Sequence, residues 1–149
     1  MTNMPLHRGA FHEAGHAVMA RHLRVNLGRI TIDLHDQCGD AHASVGATSA
    51  EDRLRIAVAG DACLRAFGVV TSHDQGAFSD EVEIENALSE LYDDEASHPQ
   101  HRADAIAEVE RLFDQPPIRA AVVALATALM REGEIGGPEA MEIIDRHLA

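Results

Sequence analysis

The stretch Phe11-His12-Glu13-Ala14-Gly15-His16-Ala17 constrains this chain more than any other, because a His-Glu-x-x-His spacing brings two imidazoles together only on a helix. Residues four apart share one helical face, so His12 and His16 can grip a single metal ion. Glu13 is turned by about 100° from His12, beside that face, where its carboxylate can hold a metal-bound water without being a ligand. The neighbours agree with a helix. Ala10, Phe11, Ala14, Ala17 and Val18 recur at helical spacing, and Arg21, His22 and Arg24 put positive charge where the helix dipole favours it. Together they predict a helix over about residues 6–23. Gly15 weakens that helix by about 1 kcal/mol relative to Ala, which points to close approach of another element at that position.

The rest of the composition narrows the fold. The chain has 149 residues, 46% of them apolar, which suits one domain over residues 1–149 with its own core. Aromatic residues make up 3% and Trp is absent, so the core is expected to be Ala, Leu, Ile and Val from packed helices. A mainly α domain with a small β-hairpin is the fold class predicted. Twelve basic residues against 25 acidic give a formal net charge of −13, which argues against nucleic acid as a partner. All twelve are Arg, and without Lys the chain cannot carry a Gly-rich phosphate loop. Two cysteines are too few for a disulfide framework, and residues 1–8 lack the apolar core of a signal peptide. The longest apolar run, near residues 120–130, is shorter than the roughly 20 residues that span a bilayer. A cytoplasmic protein without direct membrane insertion is expected.

Residues 28–34 alternate apolar and polar side chains, and residues 41–45 do so more weakly beyond the turn-like Asp36-Gln37-Cys38-Gly39-Asp40. They predict a hairpin beside the first helix, whose edge strand can cradle an extended peptide through its main chain. Ser49-Ala50-Glu51-Asp52 predicts a capped helix start. Beyond it, Leu54, Ile56, Val58, Ala62, Leu64 and Phe67 point in nearly every direction, so this helix is expected to be central, with Gly68 as its stop. Residues 69–78 read as a loop, and Ser79 as the N-cap of a helix through Leu88 and Leu91, with Asp80 in its first turn. Residues 93–100 read as an exposed acidic connection, with His98 and His101 as solvated linker histidines. Three further helices are predicted over about residues 102–113, 117–131 and 138–148, the last two with Pro at the first position.

A zinc peptidase needs three protein ligands, an open fourth position and a carboxylate that takes a proton from water. His12, His16 and Glu13 supply two ligands and the carboxylate. Spacing leaves the third ligand open among His73, Asp74, Asp80, Glu81, Glu83 and Glu85. Glu81, Glu83 and Glu85 read first as a solvated helix face. His35, Cys38 and His42 lack the Cys-x-x-Cys spacing of a metal cluster. Cys63 reads as a small buried hydrophobe. Asp61 can orient a metal-bound imidazole, cap, or face solvent, and the sequence leaves the choice open.

The segment Ala10-Phe11-His12-Glu13-Ala14-Gly15-His16-Ala17 resembles the peptidase domain of the FtsH family, the membrane-anchored AAA+ zinc proteases. Arg55-Ile56-Ala57-Val58-Ala59-Gly60-Asp61-Ala62 is similar to the family's apolar helix ending in Gly-Gly-Arg-x-Ala-Glu, and Phe67-Gly68 to its Phe-Gly. Gly76-Ala77-Phe78-Ser79-Asp80 resembles Gly-Ala-x-x-Asp, whose Asp is the family's third zinc ligand. Leu125, Leu129, Glu134, Ile135, Gly137 and Glu139 resemble its last helical pair. The resemblance implies an FtsH-peptidase-like helical zincin-type domain holding one Zn²⁺ through His12, His16 and Asp80. It implies a metalloendopeptidase in which Glu13 is the general base for a zinc-activated water, acting on peptides or unfolded protein. Three departures matter. Asp61 stands where the family has Arg, the loop before Gly76 is longer, with Ser72-His73-Asp74-Gln75, and the ATPase and membrane parts are missing, so ATP-independent cleavage is expected. A homo-oligomer or a separate partner protein is compatible with this. The alternative expectation is a zinc-binding regulatory or protein-docking module of the same fold, and a third is a zinc hydrolase of small molecules.

Overall fold

The computed structural model describes residues 7–37, 39–69 and 78–148. The protein is mainly helical, with six α-helices and a small three-stranded antiparallel sheet among these residues. The loop expected at 69–78 lies almost wholly outside them, as do Cys38, His73, Asp74 and the Gly76-Ala77 pair.

The first helix, α1 (Arg8–His22), is buried along nearly its whole length. His7 caps it: the ring Nδ1 accepts from the Ala10 N–H at 3.1 Å while Nε2 donates to the Asp33 carbonyl at 2.8 Å. Ala10, Ala14, Ala17 and Val18 are fully buried, so α1 presents short side chains to its neighbours and lets them come close. The second helix, α2 (Ala50–Ala66), begins where the Ser49 hydroxyl accepts from the Asp52 N–H at 3.2 Å.

The close approach expected at Gly15 is met by α2. A Cβ there would lie 2.5 Å from the Cys63 Cβ and 2.8 Å from the Ala59 carbonyl oxygen. As its all-round apolar pattern predicts, α2 is central, packed against α1, α3 (Phe78–Leu91) and α4 (His98–Phe113). The first helix is equally central. It also touches α5 (Pro116–Glu132) and α6 (Gly137–Leu148), which close the core from the far side.

Two boundaries differ from expectation. Helix α3 starts at Phe78, so Ser79 lies inside the first turn; Asp80 and Glu81 complement the helix dipole there. The supposed connection at 93–100 is largely helical: a short 3₁₀ turn, Glu95–Ser97, capped by Asp94, runs straight into α4. Pro99 occupies the first turn of α4, where its missing N–H is harmless. His98 and His101 are thus not solvated linker residues. His98 is buried and donates from Nε2 to the Tyr92 carbonyl at 2.9 Å, while His101 stacks on the Tyr92 ring with centroids 3.5 Å apart.

The expected hairpin forms from β1 (Leu27–Thr31) and β2 (His42–Val45), and a third strand, β3 (Glu134–Ile135), completes the order β2-β1-β3. Ile30 pairs with Ala43 on one side and Ile135 on the other, and the register is irregular between Leu27 and Ile30. Two residues are too short for any periodicity to announce β3. Strand β2 therefore lies at a sheet edge, beside α1. Half-exposed ion pairs join the helices, among them the bidentate Arg21 to Asp145 (2.8 and 2.9 Å) between α1 and α6 and Arg102 to Glu81 between α4 and α3. Such pairs contribute about 0–1 kcal/mol each. No helix among the described residues is long and apolar enough to cross a membrane.

Helix propensity alone makes Gly15→Ala a gain of about 1 kcal/mol. The contacts with Ala59 and Cys63 reverse the sign, and a loss of about 1–3 kcal/mol is expected from overpacking. The urea unfolding midpoint of the variant measures this; a midpoint at or above wild type would contradict the close α1–α2 contact.

Candidate metal centre

The site is assembled where α1, α2 and the first turn of α3 meet. His12 and His16 project from one face of α1, with Nε2 atoms 3.1 Å apart. Asp80 arrives from α3, and its Oδ2 lies 2.8 Å from His12 Nε2 and 3.0 Å from His16 Nε2. These three form a group of side chains that could hold a metal ion, the one such group found among the described residues.

The other ring nitrogen of each histidine settles what Nε2 can do. His16 Nδ1 sits 2.6 Å from the Ile56 carbonyl oxygen, which can only accept, so Nδ1 carries the proton. His12 Nδ1 faces Asp61 Oδ1 at 3.3 Å, an ionised carboxylate that also only accepts. Both Nε2 atoms are left with lone pairs directed at each other and at the Asp80 oxygen. Three acceptors at such separations repel unless a cation lies among them. The donor set, two imidazoles oriented by a carbonyl and a carboxylate plus one further carboxylate, fits a divalent metal of the Zn²⁺ type. Asp61, with three open roles in the sequence, thus faces the back of His12.

Space for the two rings comes from Gly60 on α2. A Cβ there would lie 2.5 Å from His16 Nε2 and 2.6 Å from His12 Nε2. The sequence shows Gly60 as an interruption in an apolar helix, and nothing in its spacing indicates that imidazoles occupy the gap. The Ile56 carbonyl is equally invisible there, since every helical residue has one.

Protons respond to this crowding when they are the available cations. Burial by itself would lower the His12 pKa, but hydrogen bonds to Asp61 and Asp80 and the nearby Glu13 charge carry it up to about 10. Burial opposes ionisation of Asp80, yet His16 and His12 hold its carboxyl well below the usual range. Glu13 moves the other way. Only 7% exposed, its carboxyl is raised by burial, against the pull of His16 and His12.

Glu13, His16 and Asp80 line a cleft of about 460 Å³. Residues Ala41 through Gly46, the whole of β2 and its flanks, line it as well, together with Arg53, Ile56 and Ala57 of α2 and Ser79 and Glu83 of α3. The rivals to Asp80 point elsewhere or to the rim: Glu81 pairs with Arg102, Glu85 lies 4.0 Å from the same guanidinium, and Glu83 borders the cleft. His42 lines the cleft with no hydrogen-bonded tie to His35. Cys63 is buried with its thiol pushed up to about 12, which makes it inert. Compared with known proteins, the sequence matches no family model and no curated protein.

Two outcomes test this geometry. Because His12 ionises near 10 without a metal, binding a divalent ion at pH 7–8 should expel at least one proton, so affinity should rise with pH through this range. Calorimetry in buffers of different ionisation enthalpy counts the protons, and a count of zero would contradict the raised pKa of His12. Gly60→Ala should keep the helical circular dichroism signal but weaken divalent-metal affinity by at least about 10-fold; unchanged affinity would mean the rings do not need that space.

Proposed function

We propose that the protein is a zinc metallopeptidase with an FtsH-peptidase-like, zincin-type site, cleaving peptides or unfolded protein without ATP as an isolated chain. The observation that carries this reading is the convergence of His12, His16 and Asp80, with His16, Asp80 and the buried Glu13 lining a cleft that follows a strand edge. The resemblance of residues 10–17 and 76–80 to the family motifs supports it independently.

A bound Zn²⁺ would act as a Lewis acid and lower the pKa of a bound water to about 7. His12, His16 and Asp80 are the ligands in this reading, with Asp61 and the Ile56 carbonyl holding the imidazoles in the tautomer that offers Nε2. Glu13 is one residue from His12, off the ligand face, and borders the cleft. Its carboxylate takes a proton from the attacking water and later delivers it to the leaving amine. Burial favours the protonated form of Glu13, which suits a base that must hold a proton between two steps. The outer edge of β2 supplies main-chain donors and acceptors to an extended substrate, which can add as a further strand. The net charge of −13 disfavours polyanionic substrates.

Glu13→Gln is the decisive variant. It should retain zinc in equimolar amount yet lose at least about 10³-fold in kcat on unfolded casein or a peptide library. Chelation should abolish wild-type cleavage and lower Tm together. Zinc retention with no cleavage by wild-type protein would replace this reading with a zinc-stabilised docking module, and cleavage undiminished in Glu13→Gln would remove the role given to Glu13.

A further inference from the structure

We infer that His42, the first residue of β2, is the oxyanion donor of this site, its ring N–H stabilising the substrate carbonyl oxygen as negative charge develops there. The inference rests on the peptidase reading and adds a residue that neither the motif nor the ligand set contains.

The charge around the cleft creates the need. Glu13, Asp80 and Glu83 all border it, so a carbonyl gaining negative charge enters a region already rich in carboxylates. Apart from the proposed ligand His16, two described side chains lining the cleft can carry positive charge, Arg53 and His42. Arg53 is committed elsewhere: its guanidinium is hydrogen-bonded to Glu90 and to the Thr48 carbonyl, tying α2 to α3 and to the segment before α2. His42 is exposed, and among the described residues no hydrogen bond engages its ring.

Position supplies the reach. His42 pairs with Thr31 in the β1–β2 ladder, which fixes its backbone at the edge where a substrate strand would lie. It lines the same cleft as Glu13, with the remainder of β2 running along that cleft beside it. Glu13 and His42 thus border one cleft from α1 and β2, the arrangement needed by a base on the attacking water and a donor on the carbonyl oxygen.

The step balances with these two groups. Water loses a proton to Glu13 as its oxygen bonds to the carbonyl carbon, and the C=O π pair moves to the oxygen that accepts the His42 N–H. The pair then returns, the C–N bond breaks, and the proton on Glu13 passes to the amine.

The test compares zinc-loaded wild type, His42→Ala and His42→Gln for zinc content, peptide cleavage and binding of a phosphinic peptide, whose tetrahedral anion imitates the charged oxygen. Uncleaved peptide binding is measured in the Glu13→Gln background with and without His42→Ala. For His42→Ala the expected result is full zinc content, kcat lower by about 10²–10³-fold with KM within about threefold, and phosphinic peptide binding weakened by at least about 10-fold. Uncleaved peptide should bind within about twofold of the background, and His42→Gln, which keeps an N–H donor, should recover part of kcat. If wild type cleaves and binds the phosphinic peptide but His42→Ala does both equally well, the role of His42 is overturned while the peptidase reading stands. If wild type does neither, the peptidase reading falls and the role of His42 with it.

Discussion

The close contact of α1 with α2 is the constraint on which the rest of the structure depends. Gly15 lets the Ala59 backbone and Cys63 approach α1, and Gly60, one residue after Ala59, opens the space taken by His12 and His16. The same closeness brings the Ile56 carbonyl within 2.6 Å of His16 Nδ1. Helices at an ordinary separation of about 8–10 Å with full-sized side chains between them would leave those rings pointing into apolar packing. The small residues along α1 therefore serve packing and site at once. They bury apolar surface, and they place a main-chain acceptor where an imidazole requires one.

Electrostatics follows from that packing. Two imidazoles and a carboxylate are held together within a buried junction, and each carries a partner that decides its protonation. Water would separate such groups or solvate them. Here the Ile56 carbonyl and Asp61 hold the rings from behind, and the low local polarity magnifies every charge that remains. The opposite shifts of Glu13 and Asp80 show how position discriminates between two carboxyls in one cleft. Desolvation is the largest influence on both; it prevails at Glu13, while at Asp80, in direct contact with both rings, their charge and hydrogen bonds together outweigh it.

Much of the fold was legible along the chain, for reasons that differ from element to element. The helix around His12 and His16 carries small apolar residues at helical spacing, the central α2 a continuous apolar stretch behind a Ser cap, and the last two helices a Pro near their start. The hairpin was visible in its alternation. What escaped was short or conditional. Strand β3 has two residues, and it exists because the end of α5 delivers them to β1. The early start of α4 was masked by an acidic stretch that reads as solvated until His98 turns inward to the Tyr92 carbonyl.

The candidate site divides along the same line. The spacing of His12, Glu13 and His16 on a helix is a local property, set by the turn angle of the chain, and the sequence determined it alone. The sequence also bounded the third partner to a few acidic or imidazole residues, and likeness to family motifs singled out Asp80 among them. Only the tertiary structure decided that Asp80 reaches both rings, that Asp61 and Ile56 set their tautomers, and that β2 borders the cleft with His42 at its end. Each of these is a distance between elements far apart in the chain. Local periodicity carries no information about such distances, because they arise from how closely two helices can pack.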